Sequence, residues 1–335
     1  MKNYLLGCDW GTSSFRLRLI RIADRQLVGE VVSPDGIAST FTAWKKQGEP
    51  VGISREQFFR QHLKRQVNRL AGTVGFSVDR LCLVISGMAS SSIGMAEVPY
   101  STLPFPVDGS QASLKRLAEQ PNFPHEILLI SGVRSEHDVM RGEETQLIGL
   151  LALLKVEATL PTNAILIFPG THSKHIYVQD EQLIDFKTFM TGEVFNLMAN
   201  DSILKDSVEI SLTNRFTKSD LDAFKSGVNE VESDALLASL FGVRTNQLFN
   251  KLTKRQNALY LSGLLIGSEL KTLTGKPDWP LILCSGTNLF ELYSIAMQTL
   301  DLSRRTTTIS AHLLDQATMA GQVKIMQNQL VAVNK

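Results

Sequence analysis

Apolar positions along this chain gather into short dense runs, broken by small and polar residues, and the period changes from run to run. The run that opens at Leu5 breaks at Cys8–Asp9 and turns through Trp10-Gly11-Thr12-Ser13-Ser14. It resumes with Phe15, Leu17 and Leu19 alternating against Arg16 and Arg18. This predicts a buried strand, a tight turn rich in hydroxyl residues and a second strand with one wet face, Arg18 and Arg21 included. "QLVGEVVSP" continues as a third strand. "SREQFFRQHLKRQVNRLAGTV" reads as a helix, with Ser54 and Gln57 as a capping box and Phe58, Leu63, Val67 and Leu70 as its apolar stripe. "RLCLVIS" and "EILLISGV" are further strands, the first running into a glycine- and serine-rich loop. From Asp138, "DVMRGEETQLIGLLALLKV" predicts a long helix with Asp138 at its N-cap and acidic residues in its early turns.

The pattern then begins again. "NAILIFPGTHSKHIYVQDEQLIDFKTF" repeats the buried strand, small-residue turn, alternating strand, polar turn and third strand of the opening. A charged helical stretch follows, roughly Thr217 to Thr253. "NALYLSGLLIGSELKTL" is a buried helix in which Gly263 and Gly267 allow close packing. "PLILCSGTNLFELYSIAMQTL" is strand, turn and helix, and "AHLLDQATMAGQVKIMQNQL" is a last helix. A chain of 335 residues exceeds what one core usually serves, so two domains are expected, residues 1–150 and 151–335.

The balance of 34 basic against 33 acidic residues, net +1, provides no electrostatic footprint for nucleic acid or an anionic membrane. A small-molecule function is favoured, and a homodimer is left open. Cys8, Cys82 and Cys284 sit beside or within apolar runs and not at metal-ligand spacings, as buried cysteines of a reducing compartment do. The first residues form no secretory leader, and no uncharged stretch approaches the ~18 residues of a membrane span. A cytoplasmic protein is expected.

Three strand ends carry a similar device: "GCDWGTSS", "IFPGTHSK" and "ILCSGTNL". Glycine there permits close approach of backbone to a ligand, and neighbouring hydroxyls and N–H groups can cradle phosphate. Ordinary turn chemistry accounts for one such turn. Three, each after a buried strand and spread over two similar halves, favour nucleotide phosphate.

This arrangement resembles the actin, hexokinase and Hsp70 superfamily, whose halves each begin with a phosphate-wrapping hairpin. "DWGTSSFRL" is similar to its first phosphate motif, "PGTHSKH" occupies the place of the second, and "LILCSGTNLFELYSIAM" that of the adenosine motif. More closely, "CDWGTSSFRL", "GMASSSIGMAEVPY", "DVMRGEETQLIG", "FPGTHSKHI" and "FMTGEVFNLM" together resemble the 2-dehydro-3-deoxygalactonokinase family, over nearly the whole chain. The resemblance implies an α/β protein of two actin-like ATPase (ribonuclease H-like) domains with an interdomain nucleotide cleft. The N-terminal domain would bind sugar and the C-terminal domain nucleotide. It implies ATP and Mg²⁺, and phosphorylation of the 6-hydroxyl of 2-dehydro-3-deoxy-D-galactonate in D-galactonate breakdown. There are two departures. The loop after Met88 has Ile93 and Met95 where the family tends to carry a basic residue and a tryptophan. Pro169, and not an acid, precedes Gly170. A kinase for another sugar or sugar acid therefore stays open, as does a nucleotide-switched regulatory protein.

The resemblance also assigns roles. Asp9 holds Mg²⁺, its alternative being an Asx-turn acid. Gly11, Thr12, Ser13 and Arg16 lie against the terminal phosphates. Gly170, Thr171, His172, Ser173 and Lys174 form the opposing turn, Lys174 as a point cation. His172 and His175 lack a third ligand nearby, which argues against zinc. Asp138 is the expected catalytic base, with a plain helix cap as its alternative. Arg141 would bind the substrate carboxylate, or else pair with Glu143 and Glu144. Trp10, Ser90, Ser91, Ser92 and Tyr100 are candidate sugar contacts, for which core or loop-structure readings stand beside the functional one. Gly286, Thr287 and Asn288 would border adenine or ribose.

Overall fold

Alternation along two neighbouring strands builds the first core. Leu6, Cys8 and Trp10 of β1 (Tyr4–Trp10) share a face with Phe15, Leu17 and Leu19 of its antiparallel partner β2 (Phe15–Arg21). All are buried against Phe59, Leu63, Val67 and Leu70 of the helix Arg55–Val74. Ser54 and Gln57 form the predicted capping box of that helix. Phe59 takes the central place and Phe58 packs at its margin.

The structure is a computed structural model that describes residues 3–157, 161–210, 215–230, 236–275 and 279–333. Its strands continue with β3 (Gln26–Ser33), β4 (Leu83–Gly87), β5 (Ser101–Thr102), β6 (Phe105–Pro106), β7 (Leu114–Leu117), β8 (Ile127–Ile130), β9 (Val133–Arg134) and β10 (Val139–Met140). The later ones are β11 (Asn163–Phe168), β12 (Ser173–Gln179), β13 (Gln182–Phe189), β14 (Leu281–Leu283) and β15 (Thr306–Thr308). The helices are α1 (Ile37–Ala43), α2 (Arg55–Val74), α3 (Glu143–Glu157), α4 (Thr191–Asp201), α5 (Lys218–Glu230), α6 (Leu236–Leu248), α7 (Lys254–Lys271), α8 (Thr287–Thr299) and α9 (Ala311–Val333).

The chain divides into two compact units. One comprises Met1–Leu160, Glu181–Asp185 and His312–Lys335, the other Pro161–Asp180 and Phe186–Ala311. The break thus falls ten residues beyond 150, and the last helix, expected in the second domain, counts with the first unit. In the first unit the sheet order is β3-β2-β1-β4-β8-β7, with β1, β4 and β8 parallel, β2 antiparallel to both β1 and β3, and β7 antiparallel to β8. The second unit has the order β15-β14-β11-β12-β13, again with parallel pairing of β11 to β14 and β14 to β15 and an antiparallel β11–β12 hairpin. Each is a hairpin-led meander followed by parallel strands, the order of the ribonuclease H-like, actin-like ATPase fold. The repeat read from the sequence is thus a repeat of topology.

The helix expected to begin at Asp138 does not begin there. Asp138 caps no helix: it precedes β10, and α3 starts at Glu143. In the charged stretch Thr217–Thr253, α5 and α6 form as expected, while residues 231–235 lie outside the described residues. No described helix is long and apolar enough to cross a membrane.

In the second unit, α5 lies close along α7 because glycine removes the side chain at the contact. A Cβ at Gly263 would stand 2.1 Å from the Phe224 carbonyl oxygen, a backbone atom that cannot swing aside. Gly263→Ala should therefore cost roughly 2–3 kcal/mol, read from the midpoint of chemical unfolding. The control is Gly72→Ala on α2, where a Cβ meets nothing within 4 Å. That change should stabilise by up to about 1 kcal/mol through helix propensity. Equal effects of the two substitutions would contradict the packing argument.

Candidate active site

In β1, adjacent residues face opposite sides, so placing Trp10 in the core puts Asp9 on the other face. Pairing of Asp9 with Arg16 and of Gly7 with Arg18 brings both arginines to that face. The same face meets α9, whose buried Gln322 donates through Nε2 to the Cys8 carbonyl and to Ser86 Oγ, both at 2.9 Å. Asp9, Arg16, Arg18, Arg141, Gly142, Glu143 and Gln146 line a cavity of about 220 Å³ together with Leu314, Asp315 and Thr318 of α9.

Two glycines at positive φ bring backbone up to this carboxylate. Gly87, at the end of β4, has φ +87° and would place a Cβ 2.7 Å from the Trp10 carbonyl oxygen. Gly142 has φ +110° and packs on Gly87. Burial pushes the Asp9 carboxyl up from its usual range, and Arg18 and then Arg16 partly offset this. Arg18 is 8% exposed, with Nε 2.7 Å from Glu30, so it is not on the solvated face expected for it. Arg16 is exposed, as are Thr12 and Ser13 in the turn. The turn is braced from behind, since Ile37 N–H and Ala38 N–H of α1 donate to the carbonyls of Gly11 and Thr12.

Arg141 enters the same cavity with its guanidinium held in place. Its Nη1 donates to the carbonyl of Ser90 at 2.8 Å and to the Ser90 hydroxyl, and it stacks 4.2 Å from the Tyr100 ring centroid. Its Nε is buried and makes no hydrogen bond among the described residues. Glu143 Oε2 accepts from Arg141 N–H, and Glu144 Oε2 from Gly142 N–H at 2.6 Å, so the two acids brace the backbone ahead of α3. Glu144 is 1% exposed, and burial, then the neighbouring Glu143, push its carboxyl up to about 7 from an ordinary 4.5.

The folded chain therefore binds more protons than the unfolded one between about pH 4.5 and 7. Glu144's contribution to stability is present in full below that window and is lost as pH rises through about 7. Glu144→Gln should flatten the fall of the melting temperature between about pH 5 and 8 by several degrees. An unchanged profile would mean that Glu144 stays ionised.

The candidate sugar contacts differ in their exposure. Trp10 is fully buried, stacked on His62 and edge-on to Phe15, with Nε1 donating to the Asp35 carbonyl. Ser91 is buried and donates to the Met88 carbonyl, while Ser90 is buried beneath Arg141. Ser92 is exposed, and its carbonyl accepts from Arg55. Met95 is buried and Ile93 packs against the same core, so the positions that depart from the family pattern face inward. Asp138 is partly exposed, with Oδ1 accepting from Val139 N–H at 2.7 Å, and it is not among the residues lining the Asp9 cavity.

The second unit carries a larger cavity, about 530 Å³. At one end stand Gly170 and Thr171, with Thr191 and Gly192 from the start of α4. Apolar walls come from Phe195, Phe216, Leu259, Leu265, Ile266, Leu289 and Leu292, and Asn288 and Arg255 supply polar edges. Glu193 N–H donates to the Thr171 carbonyl, which seats the turn on α4, and His172 pairs with the Glu193 carboxylate. Gly286 is the N-cap of α8, and Thr287 and Asn288 are exposed in its first turn. Ser173 and Lys174 are both buried. Ser173 is buried against Tyr293, and Lys174 is 4% exposed with its ammonium donating to the His172 carbonyl. An apolar slot that ends in a glycine turn and a helix start suits a nucleotide, base and sugar in the slot and anion at the turn.

The sequence profile of the 2-keto-3-deoxy-galactonokinase family matches residues 9–325. This chain belongs to that family. It is 29% identical over 290 residues to the 2-dehydro-3-deoxygalactonokinase of Escherichia coli K12, covering 81% of this chain and 90% of that protein. It is 31% identical over 315 residues to a Rhizobium meliloti 1021 protein named probable 2-dehydro-3-deoxygalactonokinase, covering 90% and 91%. A crystal structure of a Sinorhizobium meliloti protein assigned the same name superposes with a TM-score of 0.74 at 28% identity, covering 97% and 98% of the two chains. The protein is a carbohydrate kinase. Within this kinase, sequence reasoning missed Gln146, Asp315 and Thr318 in the Asp9 cavity, and Glu269 behind the Gly170–Thr171 turn. Of these only Glu269 left a signal, a lone acid in the apolar run "LYLSGLLIGSEL".

Proposed function

We infer that this protein transfers the γ-phosphoryl group of ATP to the 6-hydroxyl of 2-dehydro-3-deoxy-D-galactonate, in D-galactonate catabolism in the cytoplasm. The observation that carries this reading is the extent of the family match. Residues 9–325 take in both the Asp9 cavity and the apolar cavity that ends at Gly170–Thr171.

Mg²⁺ fits the donors present. Asp9, Glu143 and Asp315 line one cavity, yet among the described residues no three His, Cys, Asp or Glu side chains stand close enough to hold an ion alone. Such a set suits a cation that takes one or two carboxylates and completes its shell with phosphate and water. Bound MgATP supplies the phosphoryl group and neutralises charge during its transfer. The chain's own groups do the rest. In the first unit Asp9 would hold the metal, and Thr12 and Ser13 are suited to phosphate; in the second unit Gly170 and Thr171 are suited to phosphate and Asn288 to the nucleoside. Arg141, already oriented by Ser90 and Tyr100, binds the sugar-acid carboxylate, and Asp138 takes the proton of the acceptor hydroxyl.

A coupled ADP-release assay over keto-deoxy sugar acids and neutral sugars tests this. Turnover should depend on 2-dehydro-3-deoxygalactonate. A panel in which no acid stimulates ADP release would overturn the reading, and turnover on a neutral sugar alone would reassign the substrate.

A further inference from the structure

Glu269 lies on α7 behind the nucleotide cavity and is 2% exposed. An acid at such a position must collect donors, and these come from separate elements. His175 of β12 contacts Oε1 through Nε2 at 3.1 Å, Tyr293 of α8 donates to Oε2 at 2.8 Å, and Thr191, the first residue of α4, donates to Oε2 as well.

The direction of the next bonds follows. The Tyr293 hydroxyl spends its proton on Glu269, so at the 3.0 Å contact with Ser173 the serine is the donor. Ser173 Oγ in turn accepts from the Gly170 N–H at 3.3 Å. A single polarised chain therefore runs from the backbone of the glycine turn, through Ser173 and Tyr293, to one buried carboxylate. The same carboxylate grips the start of α4. Gly170, Thr171, Thr191, Gly192 and Tyr293 all line the cavity.

We propose that Glu269 is a positioning residue of the nucleotide site, fixing the Gly170–Thr171 turn through Tyr293 and Ser173, and the start of α4 through Thr191, where the nucleotide's phosphates bind. The proposal rests on the reading of this cavity as the ATP site. Glu269 acts through its partners and touches no reacting atom. It matches donors no local motif contains, and an amide in its place cannot accept from all of them.

Tyr293→Phe keeps the ring and removes only the link. Glu269→Gln keeps the shape and removes the acceptor. Both are to be compared with wild type in the full chain by calorimetric titration with ATP and, separately, with adenosine, which lacks the phosphates. Tyr293→Phe should weaken ATP binding about tenfold, as expected for one hydrogen bond to a charged group, with adenosine affinity unchanged within about twofold. In the kinase assay the KM for ATP should rise while the KM for the sugar acid stays. Equal weakening of ATP and adenosine would mean that the cavity has merely collapsed, and an unchanged ATP affinity in both variants would mean that the network positions nothing. Either result overturns the proposal. Wild-type protein that binds neither ligand would instead defeat the ATP reading of the cavity, a failure visible before any variant is made.

Discussion

Asp9→Asn should abolish most turnover, lowering kcat by roughly a thousandfold, while ATP still binds the second unit's cavity with little loss. The substitution is nearly isosteric, so Trp10 stays in the core and β1 keeps its pairing. What disappears is the charge. Burial opposes ionisation of Asp9, and Arg18 and Arg16 partly restore it, which in the proposed function would keep one carboxylate available to a metal. The amide cannot take that role. Rapid-mix or coupled kinetics across Mg²⁺ concentration, with calorimetric ATP titration beside them, check the expectation. A loss below tenfold, or one that extra Mg²⁺ fully restores, would move the metal role to Glu143 or Asp315.

Asp138→Asn should lower kcat by about 10²- to 10⁴-fold, the usual contribution of a positioned general base, with KM for ATP little altered. The two acids that follow it have other employment. Glu143 accepts from the Arg141 N–H, and Glu144 is buried on the Gly142 N–H. Asp138 is partly exposed and lies three residues before Arg141, which enters the Asp9 cavity. Glu143→Gln is the companion variant. Near-normal turnover in Asp138→Asn with a deep loss in Glu143→Gln would transfer the base to Glu143. Near-normal turnover in both variants would assign the base to neither residue.

Much of the architecture was legible because it is written locally. The meander of β1, β2 and β3, the capping box of α2 and the second meander from β11 to β13 all follow from period and turn chemistry over windows of a few residues. The errors share one cause. Arg18 alternates with core residues as a solvated side chain would, but α9 arrives from some three hundred residues away to cover that face, as the bonds from Gln322 to Cys8 and Ser86 record. The helix expected from Asp138 yields to β10 because Val139 and Met140 pair with β9, a contact that the apparent helical pattern cannot anticipate. Trp10 was legible in principle: if Asp9 faces a ligand, its strand neighbour must face the core.

By itself, then, the sequence determined two repeated α/β halves, three glycine turns at strand ends, and the acids and hydroxyls available for phosphate chemistry. These depend on residues adjacent in the chain. The tertiary structure alone decided which of them face a cavity: that Ser173 and Lys174 turn inward, that α9 contributes Asp315 and Thr318 beside Asp9, and that Glu269 gathers His175, Thr191 and Tyr293. A buried polar group must find its partners wherever the fold brings them, and residues distant in the chain leave no periodic trace of such a meeting.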